Sequence, residues 1–192
     1  MAAGMQELPS PAPRRHIHTR RVISQGFLRD DGLWDIEGEL HDQKTYVYAD
    51  RERGPLEPGQ PMHHMRARIT VNNDLEVVEA HAAMPAIPFS YCSGAIAEVA
   101  GLKGANLGSG WRRALDAAMG NTRGCTHMRE LFLDIATTAF QTISAYREQH
   151  MPELGPPLGG DAQTPFFLNR CHSWARTSPV VAEYFPQFYR KP

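Results

Sequence analysis

A chain of 192 residues, 42% hydrophobic and 21% charged, can bury a core of its own, which excludes wholesale disorder and any need for disulfides or a structural metal in order to fold. A formal charge of -1 and an isoelectric point near 6.8 exclude any general electrostatic attraction to nucleic acid or to an anionic membrane. The three cysteines, Cys92, Cys125 and Cys171, are odd in number and form no C-x-x-C pair; they read as thiols of a reducing compartment, and the lack of a bilayer-length apolar run or a signal-like N-terminus makes the cytoplasm the expected location.

Residues 1–13 are proline-rich and without apolar periodicity, so they read as a disordered tail, and 14–192 as a single α+β domain. The basic run Arg14, Arg15, His16, His18, Arg20, Arg21 reads as a solvated strand edge, where positive charge discourages edge-to-edge pairing, rather than as a nucleic-acid contact. Short strands are expected from His18 onward. From Trp34 to Leu40 the apolar side chains share one parity and the carboxylates the other, as in a half-buried strand. His41 and Asp42 would then turn the chain, and Lys44 to Ala49 would return beside it. The proline- and glycine-rich stretch 51–61 reads as a loop. Met65 to Val71, the Asn72-Asn73-Asp74 turn and Leu75 to Ala82 read as a hairpin. The first half is therefore expected to be an antiparallel β-meander of four to five strands.

Beyond Pro88 the period changes. Tyr91 to Gly101 and Leu107 to Met119 suit short helices, and Met128, Leu131, Phe132, Ile135, Ala139, Ile143 and Tyr146 mark the apolar stripe of a long helix near 126–149 that should lie on the sheet. A loop from His150 to Thr164 leads to a terminal segment with Cys171, His172 and Trp174. Strands first and helices second give an α+β fold rather than alternating βαβ units.

Nucleotide-binding glycine loops, the G-x-S-x-G elbow, H-E-x-x-H and paired C-x-x-C motifs are all missing from the sequence. Three constellations carry chemistry instead. Arg29, Asp30, Asp31, Asp35 and Glu37 surround a turn entering a strand; either they serve a pocket, or Asp35 and Glu37 pair across strands with Arg66 and Arg68. His63 and His64 adjoin a strand start, where only one can face the core. Cys125, at the start of the long helix, would have its thiolate favoured by unpaired N–H groups, and His127, Glu130 and Asp134 share a helical face that could grip a metal together with His63 or His18. The adjacent Cys171 and His172 read as packing residues.

His18-Thr19-Arg20, the run Arg29 to Glu37, Pro61 to Met65 and Gly124-Cys125-Thr126-His127 together resemble the bacterial domain-of-unknown-function family 2889, over about residues 14 to 188. The resemblance implies boundaries and candidate residues, and an origin among bacteria that degrade aromatic compounds, but no reaction. Where the family pattern is expected to read His-Asp-Met, this chain has His63-His64-Met65, which removes a carboxylate that could have oriented a histidine or held a metal.

The leading expectation is a cofactor-independent acid/base lyase acting on a small aromatic metabolite, in one version releasing formaldehyde from a lignin-derived phenolic. His63 or His18 would be the base, Asp31 or Glu37 would set histidine charge, and Arg29 or Arg66 would stabilise a phenolate. Cys125 and His127 complete the candidate catalytic set, and Trp34, Tyr46, Tyr48 and Trp111 would contact the ring. Two alternatives stand beside it. One is a hydrolase or lyase assisted by a divalent metal on His63, His127 and Glu130, and the other is a non-catalytic ligand-binding or accessory protein. Neither nucleic acid nor a membrane is expected as a partner; self-association into a homo-oligomer is left open.

Overall fold

The computed structural model describes residues 8–155 and 164–191. Of the expected tail, residues 8–13 are exposed and carry neither helix nor strand, and the remainder lies outside the described residues. Part of the expected 150–164 loop also lies outside them.

Four strands form one antiparallel sheet in the order β1 (His18–Leu28), β2 (Trp34–Lys44), β5 (Pro61–Val71) and β6 (Val77–Ala86). Side-chain alternation divides β2 and β5 between two faces. Trp34, Ile36, Leu40, Met65, Ala67, Ile69 and Val71 are buried on one, whereas Glu37, Arg66 and Arg68 are exposed on the other. The apolar face is covered by α2 (Thr126–His150), through Leu131, Phe132, Ile135, Ala139 and Ile143. Each fully buried Leu, Ile or Phe side chain among these stabilises the fold by about 1.5–3 kcal/mol. The architecture is the expected α+β arrangement, with the strands first and one long helix across them.

Several boundaries differ from the sequence expectation. No turn forms at His41 and Asp42: β2 runs on to Lys44, because Asp42 continues the buried parity and finds polar partners there. The proline-rich loop contains a two-stranded ribbon, in which β3 (Tyr48–Asp50) pairs with β4 (Gly54–Leu56) and not with β2. The Asp50 carboxylate ties that ribbon's turn by accepting from the N–H groups of Glu52 and Arg53 at 3.1 and 3.0 Å. The segment Ser90–Leu102 is a 3-10 helix, and the next helix, α1 (Trp111–Met119), starts later than expected, since Leu107 is held extended by donating its N–H to the Leu75 carbonyl at 2.9 Å. A short helix, α3 (Pro179–Tyr184), lies near the C-terminal end of the described residues, with the Ser178 hydroxyl capping it by accepting from the Val181 N–H.

Helix α2 approaches the sheet most closely at two glycines. A Cβ built on Gly38 would stand 2.8 Å from Ile135, at the flexible end of that side chain, while one on Gly26 would overlap Thr142 down to its own Cβ at 2.8 Å. Relief at Gly26 therefore requires the helix backbone to move. Gly26→Ala should lower stability by about 1–3 kcal/mol, as overpacking does, read as a fall in melting temperature. Gly94→Ala, with nothing within 4 Å, should leave it unchanged within about 0.5 kcal/mol.

Candidate functional site

The strand register assembles the site. Arg20 on β1 is the neighbour of Asp42 on β2, and Asp42 is the neighbour of His63 on β5. These three lie in one row across the sheet, on the face that α2 covers. At this row the β2/β5 pairing slips by a bulge between Asp42 and Gln43, a device that re-aims side chains at the end of a ladder. The first turns of α2 then bring His127 and Glu130 over the row.

Asp42 is the hub, with a side chain only 4% exposed. Its Oδ1 accepts from His18 Nε2 at 3.2 Å and its Oδ2 from Arg20 at 3.1 Å. The same Oδ2 stands 3.2 Å from His63 Nδ1 and 3.9 Å from His127 Nε2. Arg20 extends its other amino group to Glu130 at 2.7 Å. The rings of His63 and His127 lie 4.1 Å apart and are tilted by 35°. Although His63 Nδ1 is close to the carboxylate, this buried atom makes no aligned hydrogen bond among the described residues. On its other side His127 offers Nδ1 to Cys125 Sγ at 3.9 Å.

These contacts separate the two histidines electrically. Burial pushes His63 below the ordinary imidazole value, nearby His127 adds to the effect, and Asp42 offsets only part of it. His127 is raised, first by its contact with Cys125, against the cost of burial. Burial opposes ionisation of Cys125, but His127 and the N–H groups of Met128 and His127 outweigh it and hold the thiol below its usual value. Cys125 is the N-cap residue of α2, so the helix end also favours a thiolate. The arrangement makes His63 the weaker base of the pair and His127 the stronger.

A cleft lined by residues 90–95 and 122–125 opens against Cys125, and Tyr91 stands 93% exposed at its wall. A second depression lies on the opposite, uncovered face of the sheet, among Glu37, Glu39, Arg66 and Arg68. The sheet itself separates that depression from Asp42, whereas the cleft at Cys125 adjoins the histidine cluster through the Cys125–His127 contact.

A family model described as "Protein of unknown function (DUF2889)" matches residues 18–141, more than half of the chain. The chain belongs to this family. The DUF2889 match spans every member of the cluster, from His18 on β1 to Glu130 on α2, and it ends short of the C-terminal part of the expected 14–188 resemblance. No curated protein and no solved structure shows a significant match to the chain.

Of the residues singled out in the sequence, the structure brings together His18, His63, Cys125, His127 and Glu130. It places the others elsewhere. Arg29 and Asp31 pair with each other at 2.6 Å in the turn between β1 and β2, at the far end of β2 from Asp42. Glu37 and Arg66 are on the uncovered face, where Glu37 meets Arg68 at 3.5 Å and Arg66 meets Glu39 at 2.9 Å. Trp34 and Trp111 are core residues, their indole N–H groups donating to Asn73 at 3.0 Å and to the Phe132 carbonyl at 3.2 Å. Tyr46 is exposed and Tyr48 is half-buried on β3. The convergent metal-type triplet at this row contains Asp42 with His63 and His127, in place of the expected Glu130, which is engaged by Arg20; a second triplet, Glu39, His41 and His64, lies on the opposite face. Asp42 and the role of Arg20 were missed. Their signal was parity: Asp42 continues the series Trp34, Ile36, Gly38, Leu40, so it is a carboxylate on a buried face.

The two pKa displacements act on stability in opposite senses. His63, lowered from 6.5, contributes stability that is full above its unfolded value and is lost as pH falls through the folded one. His127, raised from 6.5, contributes stability that is full below the unfolded value and is lost as pH rises through the folded one. Ring NMR titration should therefore show His63 titrating below and His127 above an ordinary histidine. Cys125→Ala should bring His127 downward; an unmoved His127 would remove Cys125 as the cause.

Proposed function

We propose that the Asp42 row is the acid/base centre of a cofactor-independent carbon–carbon lyase acting on a small aromatic metabolite. The observation that carries this reading is the pairing of two imidazoles in unlike surroundings over one buried carboxylate, since proton transfer is served by neighbouring groups whose affinities for the proton are pushed apart. Asp42 positions His63, and Arg20 keeps the Asp42 carboxylate compensated. His63 accepts a proton from the substrate, while His127 and Arg20 stabilise the negative charge that develops. The cleft at Cys125, with the open ring of Tyr91, offers an aromatic surface for the substrate.

One concrete reaction fits this set: release of formaldehyde from a phenolic whose ring is in the quinone methide form. The hydroxymethyl O–H gives its proton to His63, its oxygen becomes the carbonyl of formaldehyde, and the carbon–carbon bond breaks. The electron pair of that bond forms the new side-chain double bond and restores the ring as a phenolate. The proton then returns to the phenolate oxygen, so no oxidant, water or cofactor is consumed.

A second reading is favoured by one specific feature, the unaligned His63 Nδ1 in a triplet whose ligand atoms all lie within 4.8 Å of one another. Asp42, His63 and His127 form a two-histidine, one-carboxylate set suited to a divalent transition metal. Product masses and elemental analysis separate the two. Incubation with phenolic monomers and dimers that bear a benzylic hydroxyl, expelled as water to give the quinone methide, should yield loss of one CH2O and one H2O, with turnover independent of added metal and reduced about 10²–10⁴-fold by His63→Ala. Turnover that disappears with a chelator and returns with a metal would replace the first reading by the second.

A further inference from the structure

We propose that Glu39, His41 and His64 form a separate binding site for a divalent transition metal ion of the zinc, nickel or copper type, on the uncovered face of the sheet. The site follows from the same register that builds the Asp42 row, one residue out of phase. Glu39 and His41 are alternate residues of β2, and His41 is the cross-strand neighbour of His64 on β5. All three therefore project from one face, opposite to Asp42 and His63.

Their donor atoms converge. The rings of His41 and His64 stack with centroids 3.9 Å apart and planes inclined by 27°. His64 Nε2 stands 2.7 Å and His41 Nε2 3.4 Å from the same oxygen, Glu39 Oε1. The three ligand atoms lie within 4.8 Å of one another. In a tetrahedral zinc site with bonds of about 2.0–2.1 Å the donors are about 3.3 Å apart. The His41 spacing already meets that value, and the His64 spacing needs to open by well under 1 Å.

Two imidazole nitrogens and one carboxylate are the donor set of zinc, nickel and copper sites, not of calcium or magnesium, which take oxygen ligands. The side chains are 34%, 35% and 17% exposed for Glu39, His41 and His64, so an ion can enter from solvent and complete its coordination with water. Arg66 is the competing cation, with Nε 2.9 Å from Glu39 Oε1. Its side chain is 63% exposed and can swing outward, or shift to the second carboxylate oxygen while the first turns to the ion. The ligands come from two adjacent strands of a four-stranded sheet, so little ordering is needed on binding.

The experiment must be blind to the Asp42 triplet, and the His63→Ala full chain removes that triplet while leaving the opposite face intact. Zinc chloride is titrated into His63→Ala and into His63→Ala/His64→Ala, with heat and bound metal measured at pH 7.5. The single variant should take up one equivalent, and the double variant should bind at least roughly tenfold more weakly, the usual scale for loss of a site residue. His41→Ala in the same background should weaken binding to a similar degree. Circular dichroism of each variant establishes that it is folded; if His63→Ala is not, His127→Ala provides the same background. A folded single variant that takes up no zinc, or one whose uptake is unaffected by both His41→Ala and His64→Ala, overturns the assignment.

Discussion

The constraint on which the site depends is the burial of one carboxylate. An ion removed from water is tolerated only where opposite charge and hydrogen bonds replace its hydration, and losing such partners typically costs several kcal/mol. Asp42 meets that requirement with Arg20 from a neighbouring strand and His18 from two residues along β1, while His63 on the other neighbouring strand stands 3.2 Å away. The strand register is therefore an electrostatic requirement as well as a hydrophobic one: a slip of one residue would move Arg20 and His63 to the opposite face and leave Asp42 alone. The charges that hold the row in place are the groups that give it chemistry.

Helix α2 completes that arrangement by closing over it. Close approach at Gly26 and Gly38 sets the helix against the sheet, and its N-terminal end falls on the Asp42 row. Cys125 and His127 then supply a contact that carries charge away from His63, so two imidazoles 4.1 Å apart need not be protonated together. A chain of polar partners runs from the helix N-cap through His127 to Asp42 and Arg20, and back to the helix at Glu130. Packing and proton chemistry are joined at one end of the fold.

The sequence made the sheet and the long helix legible because their periodicities are local. Trp34 to Leu40 alternates, and Met128 to Ile143 repeats at helical spacing. Asp42 was hidden because a carboxylate next to a histidine after a strand resembles turn chemistry, and its partners are 22 and 21 residues away, found only by register. Trp34 and Trp111 misled in the other direction. Their size suggested ring contacts, but with the indole N–H of each satisfied internally they serve the core. The Arg29 to Glu37 run looked like a site because its charges are consecutive, whereas strand alternation and the turn send them to solvent and to Arg68. The family match adds a boundary to this picture without adding an activity.

The most direct measurement is long-range 15N NMR of the histidine rings at pH 7, comparing the wild type with Asp42→Asn. A carboxylate that organises the row predicts that His18, His63 and His127 all change ring shift or protonation on that substitution, while His41 and His64, across the sheet, do not. Unchanged signals from His63 and His127 in a folded Asp42→Asn protein would contradict the account.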